Sequence, residues 1–344
     1  MDFASDNTAP VHPDILAALG QANVGPAIAY GEDALSKAVE AQIQDLFEAP
    51  QARVFFAATG TAANALALAS CVPPWGSILA HREAHIETDE CGAPEFFTGG
   101  SKLVLIDGPG AKVRPADLEE ALTRNRRGVH SVTPRALSLT QASERGCAYR
   151  PEEVAALTAI ARREGLVTHM DGARFANAVA FLGCSPAAVS AQAGVDVLCF
   201  GATKNGAIAA EAIIVFNETL ADDLAFRRKR AGHLLCKGRF VAAQFGAYLK
   251  DGLWLALASR ANALAHRIGR AAGDWLSEPV EANQIFVRAG AERMALLRGQ
   301  GVRFYDWGPP ALGEGRLVVR YDQPEDEVDR LCDILAGLRG DEPF

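Results

Sequence analysis

Two residues of opposite charge each stand at the end of a short apolar run. Lys204 closes the run 194–204, in which an apolar, β-branched stretch predicts a buried strand and a glycine-containing turn predicts its end. Asp171 closes a similar run, 166–171. Because open α/β sheets bind ligands outside the carboxyl ends of their strands, we expect both side chains in one crevice. Taken alone, each has a simpler interpretation, as a solvated surface lysine and a capping aspartate.

A lysine and a carboxylate at one site suit pyridoxal phosphate. This cofactor needs a lysine that bonds to its aldehyde and a carboxylate that keeps its pyridine nitrogen protonated. It also needs a phosphate site, and Thr59-Gly60-Thr61 follows a predicted strand at 54–58 and opens an alanine-rich helix. Hydroxyls and free N–H groups at a helix N-terminus bind phosphate, although Thr-Gly-Thr is also an ordinary helix cap. The three features, in this order, predict a pyridoxal phosphate site.

Seven segments carry a pattern that extends beyond these residues. They are Ser5-Asp6-Asn7-Thr8, Tyr30-Gly31-Glu32-Asp33, Thr59-Gly60-Thr61-Ala62-Ala63-Asn64, Ala84-His85-Ile86 with Glu90, Leu137-Ser138-Leu139-Thr140, His169-Met170-Asp171-Gly172-Ala173-Arg174 and Phe200-Gly201-Ala202-Thr203-Lys204-Asn205-Gly206. In these segments the chain resembles the low-specificity L-threonine aldolases, which belong to the β-eliminating lyase group of fold-type I pyridoxal phosphate enzymes. The resemblance runs in register from about Phe3 to the C-terminal helix near Leu338.

The resemblance implies an α/β fold of the aspartate aminotransferase type. Its large domain has a mostly parallel, seven-stranded sheet, and a small α+β domain follows at the C-terminus. The alternation of strand and helix patterns favours a parallel sheet independently. We assign an N-terminal arm and short helix to residues 1–20, the large cofactor-binding domain to 21–258 and the small domain to 259–344. A chain of 344 residues is long enough for this division.

Some elements are predicted from local patterns alone. Residues 151–164 predict a helix, with proline and acids in the first turn and arginines in the last. A helix at 187–193 is expected to lead into the lysine strand. A long helix is expected to run to about 257 and a further one from 262 to 276, followed by strands at 284–288, 302–305 and 316–320.

The resemblance also implies contacts with the cofactor. His85 would lie over the pyridine ring, and Glu90 would stand near the cofactor's hydroxyl group. Arg174 would contribute to the site, and Arg239, in a basic connector, would reach the cofactor phosphate of a neighbouring subunit. A histidine near a strand end is otherwise commonly a structural residue, whereas a flat imidazole can stack on an aromatic ring. No metal-binding residues are assigned.

The substrate side is implied in the same way. Ser5, Arg174 and Arg316 would hold the substrate carboxylate, with Arg320 as the alternative to Arg316. Tyr30 would lie in a loop at the active site, in part across a subunit boundary. His130 is a candidate for removing the proton from the β-hydroxyl group, but His85 or a water held by either histidine would serve as well. Thr140-Gln141 stands where some relatives have Glu-Asn.

The implied reaction is retro-aldol cleavage of a β-hydroxy-α-amino acid. L-threonine or L-allo-threonine would give glycine and acetaldehyde, and phenylserine would give glycine and the corresponding aldehyde. Another reaction of fold-type I enzymes, such as β-elimination, transamination or racemisation, remains the alternative, since it uses the same cofactor residues. A cofactor-binding protein without turnover is disfavoured because a carrier needs no carboxylate clamp.

Composition restricts the partners and the compartment. The net charge of −8 argues against nucleic acid, whose binders present a clustered basic face. The seven cysteines, an odd number with no Cys-x-x-Cys, favour reduced thiols in the cytoplasm. No apolar stretch is long enough to cross a bilayer. We therefore expect a cytoplasmic protein that binds an amino acid, with no membrane or nucleic-acid partner. The resemblance implies a homotetramer, built as a dimer of dimers with active sites shared across subunits.

Overall fold

The computed structural model describes residues 1–125 and 127–340, and its main sheet has the predicted architecture. The strands are β1 (Arg53–Ala57), β2 (Gly76–His81), β3 (Lys102–Ile106), β4 (Thr133–Thr140), β5 (Val167–Gly172), β6 (Val197–Gly201) and β7 (Glu211–Val215). They lie in the order β1-β7-β6-β5-β4-β2-β3. The pairs from β3 to β6 are parallel, and only β7 runs against its neighbours. The α/β fold with a mostly parallel seven-stranded sheet is therefore confirmed.

The helices surround this sheet and continue into the C-terminal region. They are α1 (Pro13–Ala22), α2 (Ala34–Leu46), α3 (Gly60–Cys71), α4 (His85–Thr88), α5 (Ala93–Thr98), α6 (Pro115–Arg124), α7 (Pro151–Arg163), α8 (Phe175–Leu182), α9 (Ala221–Arg230), α10 (Arg239–Leu249), α11 (Leu253–Ala272), α12 (Ala291–Gly299) and α13 (Glu325–Gly340). Apolar side chains cover both faces of the sheet, as expected for parallel strands buried between helix layers.

Register brings several strand ends to one edge of the sheet. Asp171 pairs with Thr140 on one side and with Cys199 on the other. Strand β1 is antiparallel to β7, which is antiparallel to β6, so β1 and β6 run in the same direction. Ala57 and Gly201 both lie opposite Glu211. The turns that follow β1, β4, β5 and β6 therefore meet at the edge where such sheets bind ligands.

A second, smaller sheet consists of β8 (Gln284–Arg288), β9 (Tyr305–Asp306) and β10 (Glu314–Val318), in the antiparallel order β8-β10-β9. The N-terminal arm is attached here: Phe3 N donates to Arg303 O at 2.9 Å, and Val318 N donates to Phe3 O at 2.8 Å. The domain boundaries stay a prediction, and α11 runs across the one placed after residue 258.

Three local predictions are wrong. Residues 187–193 form overlapping turns, in which Ser190 N and Gln192 N both donate to Ala187 O, so no helical ladder forms. The preceding helix is α8, which ends at Leu182 and is followed by Gly183 in the left-handed region. The helix expected to run to about 257 ends earlier, because Asp251 and Gly252 have positive φ angles of 52° and 74°. The next helix, α11, therefore begins at Leu253 and not at 262 as expected.

The third concerns the strand expected at 302–305, which is reduced to the two residues of β9 because Arg303 pairs with the N-terminal arm. Among residues 1–125 and 127–340, no helix is both long and apolar enough to cross a membrane.

Candidate active site

Lys204 and Asp171 lie at the shared sheet edge, as their positions in the sequence predict. Lys204 sits in the turn after β6, and burial, followed by the charge of Arg174, lowers its pKa. A lysine with a lowered pKa presents more of the neutral amine that attacks a carbonyl. Burial would raise the pKa of Asp171, but His85, the N–H of Ala173 and Lys204 outweigh it and hold that pKa low. Asp171 is thus an anion suited to a cationic ring nitrogen.

Asn64 connects Asp171 to a second carboxylate. Its Nδ2 donates to Asp171 Oδ2 at 2.8 Å and to Glu90 Oε1 at 2.9 Å, and all three residues are buried. Asn64 lies one turn inside α3, so the same helix delivers its N-terminus, with Thr59, Gly60 and Thr61, to this edge. Thr59 caps the helix by accepting from Ala62 N at 3.2 Å.

His85 is held by two carboxylates. Its Nδ1 bonds to Glu90 Oε1 at 2.9 Å, and its backbone N–H donates to Glu144 Oε1 at 2.8 Å. Because a carboxylate accepts, Nδ1 carries the proton and Nε2 is the acceptor of the neutral ring. The bond to Glu90 raises the pKa of His85, while burial raises the pKa of Glu90. The side chain of His85 is 35% exposed and is available to a ligand.

His85, Glu90 and Asp171 also offer one ligand atom each within 4.8 Å of one another. Such a set can suit a metal ion, but the Asn64 amide donates to both carboxylates. The amide N–H groups of Asn64 and a metal ion would compete for lone pairs on the same carboxylate oxygens. The Asn64 amide therefore disfavours a metal ion at this position.

Arg174 lies close enough to Lys204 to affect its pKa, and Arg316 is affected by Arg174 in the same way, but the two arginines differ in their partners. Arg174 donates Nε to Asp6 Oδ2 at 2.8 Å and Nη2 to Asp6 Oδ1 at 2.9 Å. Arg316, on β10, has no carboxylate partner in the described chain, and its Nε is buried without a hydrogen-bond partner. Burial and then the charge of Arg174 lower the pKa of Arg316 to about 10. Arg316 is therefore available to an anionic ligand, whereas the Nε–Nη2 edge of Arg174 is already occupied by Asp6.

Two aromatic rings lie against the guanidinium of Arg316, whereas Arg320, the alternative to Arg316, is already paired. The Arg316 guanidinium lies 4.9 Å from the Trp307 ring centre and 5.6 Å from that of Tyr305. Arg320 donates to Asp322 at 2.9 Å and to the carbonyl of Asp2 at 3.2 Å. These contacts favour Arg316 over Arg320.

Ser5 precedes Asp6 in the N-terminal arm. Its hydroxyl accepts from Asn7 N at 3.1 Å and can still donate one hydrogen bond. The neighbouring Asp6 is buried between Arg174 and Asn283, whose Nδ2 donates to it at 3.0 Å. The arm therefore carries Ser5 to the same side of the site as Arg174.

Tyr30, Arg239 and His130 are not brought to Lys204 within one chain. Tyr30 is 46% exposed and lies under Lys229, whose Nζ is 4.7 Å from the ring centre. Arg239 donates to Gly25 O at 3.2 Å. His130 is exposed and precedes the amino end of β4, and the eight residues of that strand span roughly 25 Å to the edge that carries Asp171.

Four polar residues of the site had no role assigned from sequence: Asp6, Asn64, Glu144 and Glu211. Burial raises the pKa of Glu144 and of Glu211 to about 7. Thr203, beside Lys204, donates to Glu211 Oε1 at 2.6 Å. Glu211 begins an otherwise apolar strand, which is the one signal that the sequence offers for it. Glu144 lies in an irregular polar loop and gives no such signal.

Arg145, next to Glu144, joins this loop to the small sheet. It donates Nε to Glu278 at 2.8 Å and Nη2 to Glu314 at 2.7 Å, and its guanidinium lies 4.8 Å from the Phe286 ring centre. Glu314 is on β10, two residues before Arg316. The loop that holds His85 and the strand that carries Arg316 are thus connected through one buried cation.

The chain is similar to known proteins over almost its whole length. Residues 2–291 match the family described as "Beta-eliminating lyase". The chain is 45% identical to the low specificity L-threonine aldolase of Pseudomonas aeruginosa, across 98% of this chain and 96% of that protein. It is 44% identical to the protein of the same name from a Pseudomonas species, across 98% and 97%. A solved structure, the threonine aldolase of Leishmania major, matches with a TM-score of 0.92 at 30% identity, across 98% and 99%.

Proposed function

The chain belongs to the beta-eliminating lyase family, and from this premise we infer that it cleaves L-threonine to glycine and acetaldehyde with pyridoxal 5′-phosphate as its cofactor. The observation that carries this conclusion is the near full-length similarity to curated threonine aldolases in a chain that places Lys204 and Asp171 at adjoining strand ends. L-allo-threonine and phenylserine are proposed as further substrates.

The residues at the sheet edge fit the cofactor. Glu90 Oε2 and Asn64 Oδ1 are buried without a hydrogen-bond partner among the described residues, so they are free to bond a ring substituent. The N-terminus of α3 suits a phosphate, with Thr59, Gly60 and Thr61 beside it. Lys204 would bond to the aldehyde of the cofactor, and Asp171 would accept a hydrogen bond from its protonated ring nitrogen. We propose His85 as the residue that stacks on the ring.

When bound, pyridoxal phosphate supplies a cationic ring that accepts the electron pair released as the Cα–Cβ bond breaks. Asp171 keeps that ring cationic, and its low pKa makes it an anion at neutral pH. Arg316 would hold the substrate carboxylate, with Arg174 and the Ser5 hydroxyl contributing further contacts. Such a clamp decides which bond at Cα is aligned for cleavage, and orientation of this kind is a large part of enzymatic rate enhancement.

Removal of the β-hydroxyl proton needs a base within hydrogen-bond reach. We propose His85 Nε2 as the acceptor within one chain, because Glu90 holds the proton on Nδ1 and leaves Nε2 unprotonated. His130 could act only on the site of another copy of the chain. Replacing His130 with Phe separates these assignments: we expect cleavage to slow more than cofactor binding if His130 takes part. Unchanged kinetics would assign the step to His85 or to a water.

We propose a homotetramer, a dimer of dimers, in which Tyr30 and Arg239 reach a neighbouring active site. Two groups of exposed apolar side chains support it, since such patches mark interaction surfaces. Leu16, Val24 and Ile28 precede Tyr30 in the sequence, and Val129 adjoins His130; these side chains and that of Trp75 are exposed. Sedimentation of the purified protein tests the assembly. We also propose a cytoplasmic location, since all seven cysteines are free thiols.

Incubation with L-threonine, L-allo-threonine and L-phenylserine tests the reaction. We expect aldehyde release with an equal amount of glycine, dependent on added pyridoxal phosphate. Transfer of the amino group to a keto acid without aldehyde release would favour a transaminase instead. Inversion at Cα would instead convert L-threonine to D-allo-threonine, which chiral chromatography of the remaining substrate would detect.

A further inference from the structure

Asp6 is a buried carboxylate in direct contact with Arg174. It is 1% exposed and accepts three hydrogen bonds, two from Arg174 and one from Asn283 Nδ2 at 3.0 Å. The charges of Arg174 and Lys204 hold the pKa of Asp6 low against the effect of burial. Asp6 is therefore an anion placed beside the residues that must receive a second anion, the substrate.

The bond between Asp6 and Arg174 uses a particular edge of the guanidinium. Both Asp6 oxygens are engaged, one by Nε and the other by Nη2, which is the planar two-bond arrangement that fixes an arginine most firmly. Asp6 uses two of the five guanidinium N–H groups, so the Nη1–Nη2 edge of Arg174 lies outside this pair. While Asp6 is present, a substrate carboxylate can contact Arg174 only through that edge.

Arg316 is in the opposite situation. It has no carboxylate partner among residues 1–125 and 127–340, and two aromatic rings lie against its guanidinium. Arg174 and Arg316 bring two positive charges to the expected carboxylate site, and Asp6 brings one negative charge. These three side chains together carry a net charge of +1, which matches one substrate carboxylate.

We propose that Asp6 is a positioning residue that blocks the Nε–Nη2 edge of Arg174 and so confines the substrate carboxylate to Arg316 and the Nη1–Nη2 edge of Arg174, which aligns the Cα–Cβ bond for cleavage. The inference rests on the proposed function, because it concerns the orientation of the same substrate. It adds a role for a residue that would not itself touch the substrate.

The substitution Asp6→Ala opens the blocked edge. The substrate carboxylate can then bind Arg174 in the wrong orientation, so we expect kcat to fall by about 100-fold or more, the order of loss that misplacement by about 1 Å causes. KM should not rise, because the variant has a further position, the Nε–Nη2 edge of Arg174, that can bind the substrate carboxylate. A merely structural role for Asp6 would instead raise KM.

Formate provides a readout that a structural role would not move. Formate matches the carboxylate that Asp6→Ala removes. We expect the kcat of Asp6→Ala to be at least tenfold higher with formate than without it. Formate should also raise the melting temperature of Asp6→Ala, since a ligand of the folded state stabilises it. Sodium butyrate at equal concentration is the control for ionic strength, because its chain does not fit the vacated seat.

Two further variants complete the experiment. Asp2→Ala removes a carboxylate of the same arm that pairs with the exposed Arg303, and it should show neither the kcat loss nor the formate effect. Asp6→Asn keeps the shape but not the charge, so it should lose kcat without formate rescue because the seat remains filled. If Asp6→Ala does not fold, the kcat and KM of Asp6→Asn decide, and a raised KM with unchanged kcat refutes the proposal.

The outcomes separate this inference from the proposed function. Failure of the wild-type protein to release aldehyde from threonine would refute the proposed function, while the melting-temperature response of Asp6→Ala to formate would still test the seat. An active wild type with an Asp6→Ala variant that ignores formate in both measurements would refute the inference alone. Equal formate effects on Asp2→Ala would refute it as well.

Discussion

Replacing Arg145 with Met should destabilise the chain through its effect on Glu314. Methionine keeps an unbranched apolar stem against Phe286, so the main loss is the charge. The Arg145 and Glu314 side chains are 11% and 2% exposed, and they are 2.7 Å apart. Removing one partner of a buried pair leaves the other charge uncompensated, which typically costs about 3–5 kcal/mol.

The lower end of this range applies here. Glu314 keeps the Ser277 hydroxyl and the more distant Arg288 at 3.4 Å. A loss of about 3 kcal/mol, with an unfolding entropy of ~2.1 cal/mol/K per residue, corresponds to a fall of about 4 °C in melting temperature for a chain of this size. Because Ser277 and Arg288 remain as partners of Glu314, the loss should not reach the upper end.

The effect should depend on pH. Burial would raise the pKa of Glu314, but Ser277 and Arg145 outweigh it and hold that pKa below its ordinary value of 4.5. A carboxylate with a depressed pKa stabilises the folded state above its ordinary pKa, and this contribution is lost as the pH falls through the folded value. The difference in the free energy of unfolding between wild type and Arg145→Met should therefore be largest at neutral pH and become smaller below about pH 4.5.

Calorimetry at pH 7 and at pH 4 measures both effects. Arg114→Met is the matched control, because Arg114 pairs with Asp117 at the surface and is 61% exposed. An exposed pair contributes at most about 1 kcal/mol, so this variant should melt close to the wild type. Equal melting temperatures for Arg145→Met and Arg114→Met at pH 7 would refute the reasoning about Glu314.

Three further predictions concern the cofactor site. Lys204→Ala should lose both aldehyde release and the visible absorbance of bound pyridoxal phosphate, and a variant that kept both would remove the central assignment. Asn64→Ala should weaken cofactor binding, measured by fluorescence titration, about tenfold or more, whereas Asn177→Ala, at a buried amide bonded to a helix residue away from the site, should leave it unchanged. Glu90→Gln should move the acidic limb of the pH–rate profile to lower pH, because the bond from Glu90 raises the pKa of His85; an unmoved limb would contradict His85 as the base.

The sequence predicted the residues that follow strands. Lys204 and Asp171 could be placed because strand periodicity and parallel pairing bring carboxyl ends to one edge, whatever the length of the connections. The mostly parallel sheet followed from the same alternation of strand and helix. His85 and Glu90 depended on resemblance alone, since neither their mutual bond nor the buried Asn64 between them has a signature in local spacing.

Other features depended on tertiary contacts that a single sequence does not encode locally. The turns at 187–193 replace a helix although the segment is rich in alanine, because Pro186 and Gly194 limit it on both sides. The bond from Arg174 to Asp6 joins residues 168 positions apart, so the difference between Arg174 and Arg316 could not be seen. His130 was predicted from its distance to a motif, and only the direction of β4 reveals that it lies at the other edge.

The attachment of the N-terminal arm has a consequence for biosynthesis. Asp6 is bonded to Asn283, 277 residues later, and Phe3 is bonded to Val318. At a translation rate of ~5–20 residues per second, the ribosome finishes that distant region roughly 15–55 s after it has made the arm. The arm can therefore complete these contacts only after that distant region has been made. A nascent chain that has completed only the seven-stranded sheet still lacks a finished catalytic centre.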